Sequence, residues 1–141
     1  LYLYANATFQ DLRDHREHEN GSEAANPTYN KRMPNIPYIL ANGGLEFHKA
    51  NLFGGENQNS RFLVDASYIH EYFYDFEMSK YQDRKIPSSF TIDAGLEHSF
   101  KDDSFILSFK VKNLTDKIVY SELNRPLPGR NFSFKIRYVM K

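Results

Sequence analysis

Ser89-Phe90-Thr91-Ile92-Asp93-Ala94-Gly95-Leu96-Glu97-His98-Ser99-Phe100, a polar break Lys101-Asp102-Asp103, and then Ser104-Phe105-Ile106-Leu107-Ser108-Phe109-Lys110-Val111-Lys112 form the most legible stretch of the chain. Phe90, Ile92, Ala94, Leu96 and Phe100 alternate with Thr91, Asp93, Gly95, Glu97 and Ser99; Phe105, Leu107, Phe109 and Val111 alternate with Ser104, Ser108, Lys110 and Lys112. Side chains of a strand point to opposite faces in turn, so this pattern gives two strands that are apolar on one face and polar on the other. If Asp102-Asp103 is a two-residue hairpin loop, Glu97 falls opposite Ser108 and Asp93 opposite Lys112, the second an expected cross-strand ion pair.

The same alternation recurs outward in both directions. Leu1 to Phe9, Tyr38 to His48, Arg61 to Tyr74 and Asn131 to Met140 each carry it, giving six long strands and an all-β antiparallel expectation. His70 and His98 fall on apolar faces, and Ile69, Phe73 and Ile106 on polar ones. The links run over Asp11 to Pro37, Lys49 to Ser60, Phe76 to Ser88, Lys101 to Asp103 and Asn113 to Arg130, so long connections alternate with shorter ones.

Composition narrows the classes. The 141 residues hold 18 Lys+Arg and 18 Asp+Glu, so no net field draws the chain to nucleic acid or to an anionic surface. There is no cysteine, which removes disulfides, thiolate metal sites and a cysteine nucleophile. No apolar run approaches the 18 residues or so of a transmembrane helix, a test that is blind to alternating strands. Aromatic residues reach 16%, with 12 Phe and 10 Tyr, and several stand near strand ends: Phe9, Phe47, Tyr72, Tyr74, Phe90, Phe100, Phe105, Phe132 and Tyr138. Strands of about ten residues with aromatic ends and alternating loop lengths suit a transmembrane barrel, and a water-soluble sandwich with one wet face stays open as the alternative. A closed single-chain barrel needs about eight strands or more, so six would have to be completed by others. The opening Leu1-Tyr2-Leu3-Tyr4, already in mid-alternation, leads us to expect a piece of a longer protein.

Asn113-Leu114-Thr115-Asp116-Lys117, Tyr120, and Arg125-Pro126-Leu127-Pro128-Gly129-Arg130-Asn131-Phe132 before a last alternating strand resemble the C-terminal end of TonB-dependent outer-membrane receptors. Met33-Pro34-Asn35-Ile36-Pro37-Tyr38 is similar to that family's re-entry from an extracellular loop. The resemblance spans nearly the whole chain and implies the last six strands of a 22-stranded type of plugged barrel. It further implies active import of a scarce solute, most often an iron chelate such as a siderophore or haem, energised through TonB, in a Gram-negative outer membrane. The implied partners are the remainder of the receptor (plug and other strands), the TonB-ExbB-ExbD complex acting through the plug, outer-membrane lipid and the barrel assembly machinery; no cofactor is implied. Phe132, Phe134, Ile136, Tyr138 and Met140 would be the C-terminal strand signal, although the chain ends on Lys141 where the family usually ends on an aromatic residue. The family's orientation puts 12–36, 75–88 and 115–130 outside the cell and 49–60 and 101–103 in the periplasm. Glu46, Asp65, Glu71, Asp93, Glu97, Lys110, Lys112, Lys135 and Arg137 would then face the lumen, mainly as wall ion pairs and plug contacts.

Candidate ligand contacts are few. His15 and His18 stand among Asp14, Arg16, Glu17 and Glu19, residue types that ligate a divalent metal or touch a ferric chelate, but the spacing matches no closed site and a solvated charged loop is preferred. Tyr29, Tyr81, Arg84 and Arg130 are of the types that stack on or pair with a chelate, and are equally ordinary loop residues. Arg125 to Arg130 reads as a shaped hairpin loop, because Pro fixes the backbone and Gly permits a tight turn. No nucleophile constellation or phosphate loop is present, so we expect no enzyme; a passive structural or adhesive β-protein, as a soluble sandwich or a multi-chain barrel, is the rival.

Overall fold

A computed structural model describes residues 1–76, 85–101 and 103–140. Among them there is no helix, and ten strands follow one another: β1 (Tyr2–Phe9), β2 (Ile39–Ala50), β3 (Asn59–Ile69), β4 (Tyr72–Phe73), β5 (Lys85–Ile86), β6 (Ser89–Phe100), β7 (Phe105–Lys112), β8 (Tyr120–Glu122), β9 (Arg125–Pro126) and β10 (Asn131–Tyr138). The six long ones make a single antiparallel sheet in the order β1-β2-β3-β6-β7-β10, each beside its neighbour along the chain. β4 with β5, and β8 with β9, are small hairpins outside it. The sheet is open, with β1 and β10 as free edges.

The register carries the alternation across all six strands. Leu3, Leu45, Val64, Ala94, Val111 and Phe132 stand in one row, and Phe47, Phe62, Leu96, Phe109 and Phe134 in another. Toward the opposite end, Tyr68 pairs with Phe90, and a row of small and aliphatic residues, Ala5, Gly43, Ala66 and Ile92, separates them from the aromatic row. A one-residue slip in any pair would move charges onto this face, so the register is strongly specified. The other face holds Tyr4, Glu46, Arg61, Asp65, Asp93, Glu97, Lys110, Lys112, Lys135 and Arg137.

The apolar face has no second layer. Only Ile86, Ile106, Val111 and Val119 are buried apolar residues among those described, while Phe132, Phe134 and Ile136 are each more than half exposed. A side chain of that size left bare forfeits about 1.5–3 kcal/mol relative to burial. The sheet is therefore not a sandwich closed on its own core.

Three boundaries differ from the sequence expectation. β3 stops at Ile69 instead of running to Tyr74, because its ladders with β2 and β6 both run out there: Leu40 and Ser89 are the last partners, and Pro37 and Pro87, which have no N–H to donate, stand two residues before β2 and β6. Glu71 consequently lies off the polar face of the sheet, where it accepts a 2.6 Å hydrogen bond from Lys85 Nζ. The last strand ends at Tyr138, opposite the first residue of β7; Val139 N–H reaches the Ser104 carbonyl at 2.8 Å, and Met140 lies beyond the ladder. Strands β2 and β3 reach Ala50 and Asn59, shortening the expected 49–60 connection to 51–58.

The β6–β7 register agrees with a two-residue loop: Glu97 pairs with Ser108, whose Oγ donates to its carboxylate at 2.9 Å. Asp93 differs from the expectation. Its Oδ1 accepts the Asn113 N–H at 2.9 Å and its Oδ2 lies 3.9 Å from Lys110 Nζ, so the cation beside it is the diagonal neighbour and not Lys112. The backbone turn at Asn113 is what occupies the carboxylate.

Gly44 of β2 lets β1 and β3 make a polar contact across it. A Cβ there would stand 2.5 Å from Asp65 Oδ1 and 2.6 Å from the Tyr4 ring, the two groups joined by a 2.6 Å hydrogen bond from Tyr4 Oη. Gly44→Ala is expected to lower unfolding stability in detergent by about 1–3 kcal/mol. The loss should be smaller in a Tyr4→Ala background; equal losses in both backgrounds would separate Gly44 from this contact.

Candidate functional site

The polar face is covered at one end by the segment between β7 and β10, which folds back over the sheet and encloses a cavity of about 470 Å³. Ser67, Thr91, Asp93 and Lys112 line it from the sheet, Val119 and Leu127 from the covering segment. Ile69, out of place on a polar face by its sequence, lines the same cavity, so an apolar side chain there meets the covering segment.

Asn113 builds that cover. Its φ of 51° lies in the left-handed region that Asn tolerates better than most residues. From there its Nδ2 donates to the Lys117 carbonyl at 2.7 Å and its Oδ1 accepts the Lys117 N–H at 3.1 Å. The Leu114 N–H donates to the Ile92 carbonyl of β6 at 2.7 Å. Asp116 closes the far end, accepting the Arg130 N–H at 2.9 Å, with the Arg130 guanidinium 3.9 Å away; a Cβ on Gly129 would approach its Oδ1 to 3.1 Å. Between these anchors β8 and β9 pair across Leu123-Asn124, and Leu127 N–H donates to the buried Val119 carbonyl at 2.7 Å. The hairpin loop expected over 125–130 lies earlier: the turn is Leu123-Asn124, and Arg125 and Pro126 form the second strand of that hairpin as β9. Asn113, Leu114, Asp116, Gly129 and Arg130 shape the segment, and the Thr115 hydroxyl lies 3.4 Å from Asn113 Oδ1. The Tyr72 hydroxyl donates to the Ser121 carbonyl at 3.2 Å, tying the β4–β5 hairpin to the cover.

The rest of the polar face is a chain of contacts. Glu46 accepts from Arg61 Nη2 at 3.0 Å and meets His48. Asp65 and Asp93 stand directly opposite each other on β3 and β6, and each has its own donor, Tyr4 for the first and Asn113 for the second. Two like charges in register repel, and these donors offset that cost. Lys112, Lys135 and Arg137 have no hydrogen-bond or ion-pair partner among the described residues.

The loop between β1 and β2 is organised by a residue that motif reading passed over. Asp14 is 6% exposed; its carboxylate accepts from Arg16 Nε and Nη2 at 2.9 and 2.6 Å, from the Arg16 N–H, from Thr28 Oγ1 at 2.7 Å and from Asn26 Nδ2 at 3.1 Å. With five donors its acceptor capacity is used up, which leaves nothing for a metal. The Arg16 guanidinium, helped by the Thr28 hydroxyl, holds this carboxyl far below the ordinary carboxylate range. His15 and His18 are exposed beside it, and no group of three or more His, Asp or Glu among the described residues is placed to hold a metal ion. Tyr29 is exposed on the same loop; Tyr81 and Arg84 lie outside the described residues.

Of the two histidines on the apolar face, His70 has both ring nitrogens hydrogen-bonded, whereas His98 has only Nδ1 paired and its buried Nε2 has no partner among the described residues. His70 meets the Tyr38 hydroxyl at Nε2, 2.9 Å, and the Tyr68 hydroxyl at Nδ1, 2.8 Å. His98 meets the fully buried Ser60 hydroxyl at Nδ1, 2.8 Å, under the rings of Phe53 and Phe100. Tyrosines and serines two positions from, or opposite, a misplaced histidine were the available signal.

Two outcomes test this site. Asn113→Ala should raise protease cleavage within 114–129 roughly 5–30-fold, the factor for 1–2 kcal/mol, and Asn113→Gly should raise it less because it keeps the left-handed turn. Asp14 has a folded-state pKa below its unfolded one, so its contribution is complete above the ordinary carboxylate pKa of about 3.9 and is lost as pH falls through the folded value. Stability measured from pH 7 down to pH 2 should therefore fall more steeply below about pH 4 than in Asp14→Asn; parallel curves would remove the role given to Asp14.

No family model matches the chain, no curated protein matches it, and no solved structure matches it.

Proposed function

We propose that the chain is the C-terminal part of the barrel wall of a TonB-dependent outer-membrane importer. The observation that supports this reading is the asymmetry of the one-layer sheet: a mainly apolar face with no second sheet packed on it, set against a hydrogen-bonded polar face. Lipid satisfies the first and a lumen the second. Six strands with two free edges then form a sector of a larger barrel of the 22-stranded type, completed by the remainder of the receptor. A soluble sandwich fits less well, since it would cover the apolar face with a second sheet.

In this reading the loop organised by Asp14, the β4–β5 hairpin and the Asn113–Arg130 cover lie at the extracellular rim. They frame the vestibule where a scarce solute, most often an iron chelate such as a siderophore or haem, is captured before the plug, coupled to TonB, opens the path. His15, His18, Tyr29 and Arg130 belong to that rim. The strands supply wall, not chemistry, and the protein acts as a transporter and not as an enzyme.

These 141 residues hold no cysteine, so single-cysteine labels can be placed in them within the intact receptor in membrane vesicles once any cysteine elsewhere in it is replaced. Labels at Leu45, Val64 and Leu96 should be quenched by a lipid-soluble quencher, and labels at Glu46, Asp65 and Glu97 by an aqueous one. Water quenching at both sets, or a monodisperse detergent-free monomer, would overturn the membrane reading. Uptake of a labelled ferric chelate that persists after TonB is deleted would leave the wall and remove the energised import.

A further inference from the structure

We infer that Asn20 is a site of self-modification: its side-chain amide is displaced by the backbone nitrogen of Gly21, leaving an aspartyl or isoaspartyl residue at the tip of the β1–β2 loop. The sequence holds two Asn-Gly pairs, Asn20-Gly21 and Asn42-Gly43. Glycine suits the reaction because no Cβ shields its nitrogen from the asparagine side chain. That nitrogen must also be free to lose its proton and to turn toward Cγ, so the fold decides between the two pairs. Asn42 and Gly43 lie within β2 between the ladders to β1 and β3, and a Cβ on Gly43 would stand 3.1 Å from the Tyr4 carbonyl oxygen. Asn20-Gly21 is instead the centre of a turn closed by a single bond, from the Ser22 N–H to the Glu19 carbonyl at 3.1 Å. Both residues are exposed, and Gly21 has a φ of 75° with nothing within 4 Å of the place a Cβ would take. Neither the Asn20 amide nor the Gly21 N–H has a hydrogen-bond partner among the described residues. The His18–Ala25 bridge and the 3.0 Å bond from the Glu19 N–H to the Ala24 carbonyl hold the base of the hairpin, so only its tip has to rotate.

The step needs only water and hydroxide. Hydroxide takes the Gly21 amide proton, the nitrogen bonds to Asn20 Cγ, and the Cγ–Nδ2 bond breaks as ammonia leaves with a proton from water, which restores the hydroxide. Water then opens the five-membered imide. Cleavage of the new N–Cγ bond gives aspartate; cleavage at the main-chain carbonyl gives isoaspartate, whose main chain is longer by a methylene. The balance is a water consumed and an ammonia released, with nothing oxidised or reduced. Either product sets a carboxylate between Glu19 and Glu23, which have no ion-pair partner among the described residues, and like charges so close repel. The isoaspartyl form also spoils the spacing that lets Ser22 reach Glu19. Asp14 is untouched, because its donors Arg16, Asn26 and Thr28 lie outside residues 18–25. The change is thus confined to the tip, and the inference holds whether or not the transport reading does.

The test holds the full chain in dodecyl maltoside micelles, with strand content established by circular dichroism, in mildly alkaline buffer made with heavy-oxygen water. Peptide mass spectrometry follows each Asn-Gly pair. Asn20 should take up a heavy oxygen with a half-time at least about 100-fold shorter than that of Asn42, the ratio given by about 2.8 kcal/mol of ladder opening at β2. In concentrated urea the two pairs should convert at similar rates. Asn20→Gln should end the uptake at the tip, since its side chain would have to close a larger ring, and Gly21→Ala should slow it severalfold. In the converted chain, amide hydrogen exchange at Glu19 and Ser22 should speed up while that of the Asp14-bound Arg16 and Asn30 amides stays as it was. Uptake at Asn42 as fast as at Asn20 in the folded chain, an Asn20 that resists while the unfolded chain converts, or undiminished uptake at the tip of Asn20→Gln would each overturn the inference.

Discussion

An antiparallel ladder admits no half-steps, and the whole sheet depends on that. Once Phe62 pairs with Phe47 on one side and Leu96 on the other, every residue of β2, β3 and β6 has its face assigned, and β7 and β10 inherit the assignment through Leu96–Phe109–Phe134. The same pairing that gathers apolar side chains gathers charges opposite them. The contacts Tyr4–Asp65, Arg61–Glu46 and Ser108–Glu97 are therefore products of one register and not separate inventions.

At the cover over the polar face, local backbone chemistry takes over. Asn113 turns the chain in a conformation most residues resist, and its side chain then stands in for a missing turn of backbone by bonding both ends of Lys117. Asp116 bonds the Arg130 N–H one residue before β10 begins, so the cover and the edge strand share an anchor. The Asn-Leu-Thr-Asp and Pro-Gly-Arg stretches thereby acquire a physical reason: they set where the last long strand starts.

Most of the sheet was legible because a period of two is a long-range signal carried by many residues at once. The six long strands, the pairing of Glu97 with Ser108, and the faces of Glu46, Asp65, Asp93, Glu97, Lys110, Lys112, Lys135 and Arg137 all follow from it. What failed depends on neighbours distant in sequence. Glu71 left the sheet because two prolines, each two residues before another strand, stand where the ladders end at the level of Ile69. Asp93 took a backbone N–H in preference to the expected Lys112, since the turn that follows β7 was not visible as a pattern. Asp14 was hidden among more conspicuous histidines: one carboxylate gathering Arg16, Asn26 and Thr28 has no periodic signature. His70 and His98 were correctly placed on the apolar face; two Tyr hydroxyls satisfy both nitrogens of the first, and the Ser60 hydroxyl satisfies one nitrogen of the second.

Pro37 and Pro87 have a wider consequence. Standing where the ladders on both sides of β3 end at one level, they separate a sheet whose length is fixed from connections whose length is free. Residues from Glu71 onward can be added, removed or exchanged without shifting a pair in the sheet, because the last backbone bond at that end of β3 runs from the His70 N–H to the Ile39 carbonyl at 3.0 Å. The segment beyond the line is in this sense a cassette: new loops can be grafted onto the sheet while the strands beneath keep both their register and their faces.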